Sequence, residues 1–119
     1  LKRQITQQLP VRDGVLHVVT LEPKVEEELR AALQREEGRL YLNLSPQQAG
    51  RILQSLEQEV SKAYAAGVEP VLLCPPVVRL KLRELIAPRL PRLPVVSYNE
   101  LLEDLEIKAV GTVTDGDVD

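Results

Sequence analysis

The sequence has 119 residues, 44% hydrophobic and 28% charged, with a formal net charge of −3. That length is typical of one domain with its own hydrophobic core, and the composition is ordinary for a globular protein. The sequence excludes a membrane-spanning helix, because no apolar run approaches 18 residues. It also excludes an internal disulfide, because Cys74 is the only cysteine. The absence of methionine indicates a piece of a longer chain.

The first elements are a helix end, a turn and a strand. Residues 1–9 (LKRQITQQL) are predicted to be the last turns of a helix that Pro10 stops. Asp13-Gly14 is a turn signal. Residues 15–21 (VLHVVTL) are largely β-branched and apolar, which predicts a strand.

A helix and a second strand come next. Pro23 suits a first helical position, and apolar residues then recur at helical spacing: Val25, Leu29, Ala32 and Leu33. We expect Gly38 to end this helix. In residues 40–44 leucine alternates with Tyr41 and Asn43, which predicts a strand buried on one face.

The longest predicted helix begins after a capping signal. Ser45-Pro46-Gln47-Gln48 has the form of a capping box with proline at the first helical position. The helix is expected to end at Gly67. Its predicted buried face comprises Ala49, Ile52, Leu53, Leu56, Val60, Ala63 and Tyr64.

The run Val71-Leu72-Leu73-Cys74 is apolar at every position, which is typical of a strand in the middle of a sheet. A helix over residues 77–87 follows, and Pro88 should end it. Residues 94–98 and 107–113 are the last predicted strands, joined by a short helical connection. Gly111 inside the final strand indicates a bulge or a close backbone contact.

This order of elements predicts the fold class: an α/β single domain with a small mixed sheet, central parallel strands and helices on both faces. Strands at residues 40–44, 71–74 and 94–98 are joined by helices and are therefore expected to be parallel. The pattern does not determine where the strands at 15–21 and 107–113 attach.

Two residues invite a chemical interpretation. Cys74 stands at the carboxyl end of a central strand, where α/β sheets bind ligands. Pro75 and Pro76 offer no backbone N–H to a phosphate, and no His or acidic residue adjoins Cys74, so a buried structural cysteine is favoured. His17 is the only histidine and is interpreted as a structural strand residue. We predict no catalytic residue, no cofactor and no metal ligand.

Residues 76–98 are basic. They carry five positive charges and one negative, a net of +4, so the rest of the chain carries −7. Arg79 and Arg83, four residues apart, share a helix face. With Arg89 they form a candidate docking patch for an acidic protein; the alternative is an ordinary solvated helix surface. RNA binding is disfavoured because no aromatic residues are interleaved.

The acidic runs are interpreted as solvated helix faces. These are Glu26-Glu27-Glu28 and Glu36-Glu37. Adjacent acids on a helix point in different directions, which does not suit a carboxylate pair acting on one substrate.

Several ordered motifs cover essentially the whole chain. They are Lys2-Arg3-Gln4-Ile5, Leu21-Glu22-Pro23-x-x-Glu26, Gly67-x-x-Pro70-Val71-Leu72-Leu73-Cys74-x-Pro76-x-x-Arg79, Leu90-Pro91-x-Leu93-x-Val95-x-Ser97-Tyr98-Asn99-Glu100 and Ala109-Val110-Gly111-Thr112-Val113. Together they resemble the FHIPEP family of flagellar and virulence type III export-gate proteins. The Ser-Tyr-Asn-Glu run is more similar to the flagellar branch, whereas Pro75 and Pro88 depart from the family pattern.

The resemblance implies a role rather than a reaction. It implies that the chain is the last subdomain of the cytoplasmic region of an inner-membrane protein. Residues 1–12 are then the lead-in from the preceding subdomain, residues 13–114 the α/β subdomain and residues 115–119 an acidic tail. It implies a non-enzymatic part of the platform where export chaperones dock with their substrates. The implied partners are other subdomains of the same protein and of the export apparatus, in a ring of full-length copies; the fragment alone is expected to be a monomer.

One alternative rests on the α/β pattern alone, namely a small Rossmann-like ligand- or nucleotide-binding module. The missing glycine-rich loop counts against it.

Overall fold

The structure is a computed structural model, and it describes residues 10–101 and 105–115. The predicted lead-in helix at residues 1–9 lies outside this part of the chain. The described elements are β1 (Val15–Leu21), α1 (Pro23–Ala32), β2 (Leu33–Glu36), β3 (Arg39–Leu42), α2 (Pro46–Ala65), β4 (Val71–Cys74), a 3₁₀ turn (Pro76–Val78), α3 (Arg79–Ile86), β5 (Val95–Ser97), a second 3₁₀ turn (Tyr98–Glu100) and β6 (Glu106–Val113).

Four of the strands form one parallel sheet in the order β5-β4-β1-β6. Val18 is paired with Val71, and Leu73 with Val96. The α/β class and the internal position of β4 are therefore confirmed. The two strands that the sequence left unattached, β1 and β6, both pair in the parallel direction.

The three described α-helices all pack on the same face of this sheet. They share one hydrophobic cluster with Val19, Leu72 and Val95. The chain moves from β1 to β4 to β5 in one direction, and right-handed crossovers made in one direction place their helices on one face. The arrangement thus differs from the expected helices on both faces.

The opposite face is covered by irregular chain. Leu16, Val18, Val71, Leu73 and Val96 form a second buried cluster there, and it is closed by partly buried side chains of Val11, Leu101 and Leu105. The chain crosses back from β5 to β6 in the other direction, so this connection is expected on the face opposite the three described α-helices.

The region after α1 corrects two predictions. The helix ends at Ala32, not at Gly38, and the next residues form β2. β2 pairs with β3 in a separate antiparallel hairpin, so the predicted strand at residues 40–44 does not join the parallel strands. Glu37 and Gly38 form the turn with φ of 53° and 78°, as in a two-residue type I′ hairpin.

Helix α2 begins as predicted. The Gln48 backbone N–H donates to Ser45 Oγ at 3.0 Å, and Pro46 is the first helical residue. Gly67 follows the helix with φ of 82°. The sequence predicts Tyr64 on the buried face, but Tyr64 is 51% exposed. Val60, one turn earlier, is buried, so fewer side chains of α2 contact the core near the end of the helix.

Gly111 lies at a bulge, as predicted. Val18 pairs with Ala109 and Val19 with Gly111, so Val110 is an extra residue in β6. The backbone of Gly111 also approaches α2 closely, because a Cβ there would lie 2.5 Å from Glu59 Oε1.

Buried Asp115 links the chain after β6 to α1 and α2. Asp115, which the sequence assigned to an acidic tail, is 3% exposed. Its Oδ2 lies 3.3 Å from Lys24 Nζ, and its backbone carbonyl accepts a 2.9 Å hydrogen bond from Arg51 Nε. Glu28 Oε1 is buried without a hydrogen-bond partner in the described part of the chain. Glu28 is therefore partly buried, with one carboxylate oxygen out of contact with solvent.

The pKa of Glu28 is raised above its ordinary value, first by burial and then by the hydrogen bond and negative charge of Asp115. Gln48 and Lys24 oppose this shift. A hydrogen bond between two carboxyl groups requires a proton, so the pair favours the protonated form of Glu28.

Two glycine substitutions should have opposite effects. An added Cβ at Gly50 meets nothing within 4 Å, so Gly50→Ala in α2 should raise the free energy of unfolding by roughly 0.5–1 kcal/mol.

Gly111→Ala should lower the free energy of unfolding by about 1 kcal/mol through overpacking against Glu59. Urea denaturation followed by circular dichroism measures both, and Glu59→Ala should restore part of the loss. Unchanged stability of Gly111→Ala would show that Glu59 moves aside without cost.

Replacing Glu28 should change the pH dependence of stability. Because the folded-state pKa is raised, the contribution of Glu28 is present below its unfolded pKa and is lost as pH rises through the folded pKa. Glu28→Gln should therefore raise the free energy of unfolding by about 1 kcal/mol at pH 7.5 and change it little at pH 4. Exposed Glu27→Gln is the matched control, with a change below about 0.5 kcal/mol at both pH values. Destabilisation by Glu28→Gln at pH 7.5 would instead show that the ionised carboxylate is the stabilising form.

Candidate protein-docking surface

Arg79 and Arg83 occupy one flank of α3. Arg79 is the first residue of the helix and is partly buried, whereas Arg83, one turn later, is exposed. The inward face of the helix is formed by Leu82 and Ile86. The two guanidinium-bearing residues are therefore neighbours beside the buried face, as their spacing predicts.

Arg89 lies apart from these two residues. It follows the end of α3, and its Nη1 is 3.4 Å from Oε1 of Glu57 on α2. With the first half of α2 it lines a shallow groove of about 850 Å³. The ion pair is exposed on both sides and contributes little stability, but Glu57 offsets part of the charge that Arg89 presents.

Part of the exposed surface of α3 faces the β2–β3 hairpin across a second groove. The residues of this α3–β3 groove enclose about 630 Å³. Val77 and Leu80 on its helical side are 54% and 64% exposed. The sequence analysis did not predict this groove, and Leu80 lies outside the inward face formed by Leu82 and Ile86.

At the carboxyl edge of the sheet, where the sequence invited a ligand site, the ends of β4 and β5 are buried. Cys74 is buried, as predicted, and Pro75 and Pro76 lead directly into the first 3₁₀ turn. At the end of β5 the buried Ser97 donates a 2.6 Å hydrogen bond to Asn99 Oδ1.

Tyr98 links the end of β5 to α1. Its hydroxyl donates a hydrogen bond to Glu26 Oε2. Burial, followed by the hydrogen bond and the charge of Glu26, raises the pKa of Tyr98 to about 12. The phenol therefore remains a neutral donor at physiological pH, and Glu26 has a tertiary role that its place in an acidic run did not indicate.

His17 is a partly buried residue of β1, consistent with a structural role. No group of three or more potential metal ligands occurs among residues 10–101 and 105–115. In the same residues, no helix combines the length and hydropathy needed to cross a bilayer.

The chain is similar in sequence to export proteins. The family model described as "FHIPEP family" matches residues 1–106. Over 113 residues the chain is 35% identical to the flagellar biosynthesis protein FlhA of Bacillus subtilis (strain 168), covering 95% of this chain and 17% of that protein. It is 26% identical over 113 residues to low calcium response locus protein D of Yersinia pestis, covering 95% and 16%. The chain thus spans less than a fifth of the length of these relatives.

Solved structures of related proteins share the fold. The cryo-EM structure of nonameric EPEC SctV-C superposes with a TM-score of 0.81 at 27% identity, covering 95% of this chain and 33% of that chain. The Chlamydia pneumoniae CdsV and CdsO protein complex gives a TM-score of 0.83 at 32% identity, covering 96% and 34%. The family match, the sequence identities and the shared fold lead to one conclusion: the chain belongs to the FHIPEP family.

Proposed function

We propose that this chain is the C-terminal cytoplasmic subdomain of the export gate of a flagellar type III secretion apparatus. In this proposal it acts through protein contacts rather than catalysis and forms part of the platform on which chaperone–substrate complexes dock. The observation that carries the proposal is the family match over residues 1–106.

The comparisons support parts of this proposal. The chain is more similar to FlhA of Bacillus subtilis than to the Yersinia pestis protein, at 35% against 26% identity, which favours a flagellar role. Similar proteins form a nonamer and a complex with CdsO. We therefore propose that the full-length protein forms a ring, that this piece alone is a monomer, and that its partners are its own neighbouring subdomains and other export proteins.

The proposed division of the chain follows from the same role. Residues 1–12 would lead in from the preceding subdomain, residues 13–114 would form the α/β subdomain, and residues 115–119 would form the tail. The subdomain would lie on the cytoplasmic side of the inner membrane.

The basic flank of α3 supports a contact with an acidic partner. Arg79 and Arg83 are neighbours on it, and Arg89 would contribute less because Glu57 lies 3.4 Å away. Like-signed charges on one flank attract an oppositely charged surface and raise the rate of encounter. The nucleotide-binding alternative has less support, because the junction from β4 to α3 contains Pro75 and Pro76 in place of amide donors.

Charge reversal on α3 tests the docking role. Arg83→Glu, alone and with Arg79→Glu, is introduced into the full-length protein, and export of flagellar proteins and motility are measured. Export should fall by about tenfold, since steering charges change association rates by that order or more, and Arg89→Glu should have a smaller effect.

Arg12→Glu is the matched control and should leave export unchanged. Arg12 is exposed and lies just before the amino end of β1. Thermal unfolding of each variant separates a lost contact from a lost fold. Normal export by a folded Arg79→Glu/Arg83→Glu variant would remove these arginines from the proposed docking surface.

A further inference from the structure

One wall of the α3–β3 groove is the edge of a strand. Arg39, Leu40 and Tyr41 are consecutive residues of β3, and all three line the groove. Successive side chains of a strand point to opposite faces. Three consecutive residues can therefore line one groove only if it runs along the backbone edge of the strand.

The hairpin directs backbone hydrogen-bonding groups of this edge outward. In a two-residue hairpin the residues that flank the turn, here Glu36 and Arg39, form a hydrogen-bonded pair. Non-hydrogen-bonded and hydrogen-bonded pairs then alternate along the two strands. The Asn43 N–H donates to the Ala32 carbonyl at 2.7 Å, which agrees with this alternation. The N–H and C=O of Leu40 therefore point away from β2.

The facing wall is an apolar platform on α3 and the turn before it. Val77 and Leu80 are three residues apart, and both are more than half exposed. Pro76 continues the same wall. Exposed apolar side chains beside an open strand edge are a combination that proteins avoid unless a partner covers it.

The charges at the rim favour an acidic occupant. Arg39 and Lys81 line the groove, and no acidic side chain does so within the described residues. Lys81 Nζ is 3.3 Å from Glu84 Oε1, an exposed pair that a competing carboxylate could replace at little cost.

We propose that the α3–β3 groove binds an extended acidic segment of a partner protein, which adds as a strand to the edge of β3 that pairs with no other strand of the described residues. Backbone hydrogen bonds to Leu40 would supply affinity, and apolar side chains of the segment would cover Val77 and Leu80. Carboxylates of the segment would lie near Arg39 and Lys81. This site is lined by Leu80 and Lys81 rather than by Arg79 and Arg83, and it does not depend on the proposed export role.

The test uses the ¹⁵N-labelled full chain and an acetylated synthetic peptide in which valine alternates with glutamate. Titration should shift the amide resonances of Leu40 and Leu80, and bound peptide should slow hydrogen exchange of the Leu40 amide. A peptide that is N-methylated at every residue has no backbone donor for strand pairing and should bind at least about tenfold more weakly. Lysine in place of glutamate should weaken binding by a similar factor.

Variants of the protein separate this groove from other apolar surfaces. Leu80→Glu should weaken binding of the glutamate peptide by about tenfold. Tyr64→Glu, at another exposed apolar position, is the matched control and should leave binding unchanged. Equal binding of the N-methylated peptide, no protection of Leu40 at millimolar peptide, or concentration-dependent self-association through this edge without peptide would each overturn the proposal.

Discussion

The parallel pairing of β1 with β4 is the contact on which the rest of the structure depends. Val18 pairs with Val71 and Val19 with Leu72, and all four residues are almost completely buried. A parallel pair of this kind is stable only when both of its faces are covered. α1, α2 and α3 cover one face. Leu101 and Leu105 from the connection between β5 and β6 pack against the other face, together with Val11 from before β1.

The ends of the strands and the exposed surface of α3 differ in chemistry. The carboxyl edge of the sheet carries Cys74, Ser97 with its hydrogen bond to Asn99, and Tyr98 bound to Glu26. α3 carries the basic pair Arg79 and Arg83, and Leu80 of the same helix lines an apolar groove beside a strand edge.

The hairpin shows how local signals were misread. Residues 33–37 contain good helix formers, and they extended the predicted helix to Gly38. The positive φ of Glu37 and Gly38 instead closes a tight turn. Leu33 and Leu42 pair across the hairpin and pack against the main hydrophobic cluster. Burial of leucines from two chain segments outweighed the helix preference of one segment.

The candidate site was predictable where it rests on local periodicity. The spacing of Arg79 and Arg83 was sufficient to place them together on α3, and the apolar run of β4 was sufficient to place Cys74 in the core. The partner of Arg89 was not predictable, because Glu57 is 32 residues away in sequence. The burial of Asp115 beside Glu28 was not predictable either, since charge alone assigned it to a solvated tail.

The amino-acid sequence by itself determined the α/β class, the central strand, the capped helix α2, the bulge at Gly111 and the family. These features depend on residues close together in the chain, or on ordered motifs. Only the tertiary structure decided that the three described α-helices pack on one face of the sheet and that β3 pairs with β2 in a separate hairpin. It also decided that an edge of β3 faces Val77 and Leu80. Those features depend on crossover direction and on contacts between distant segments, which periodicity along one stretch of chain does not encode.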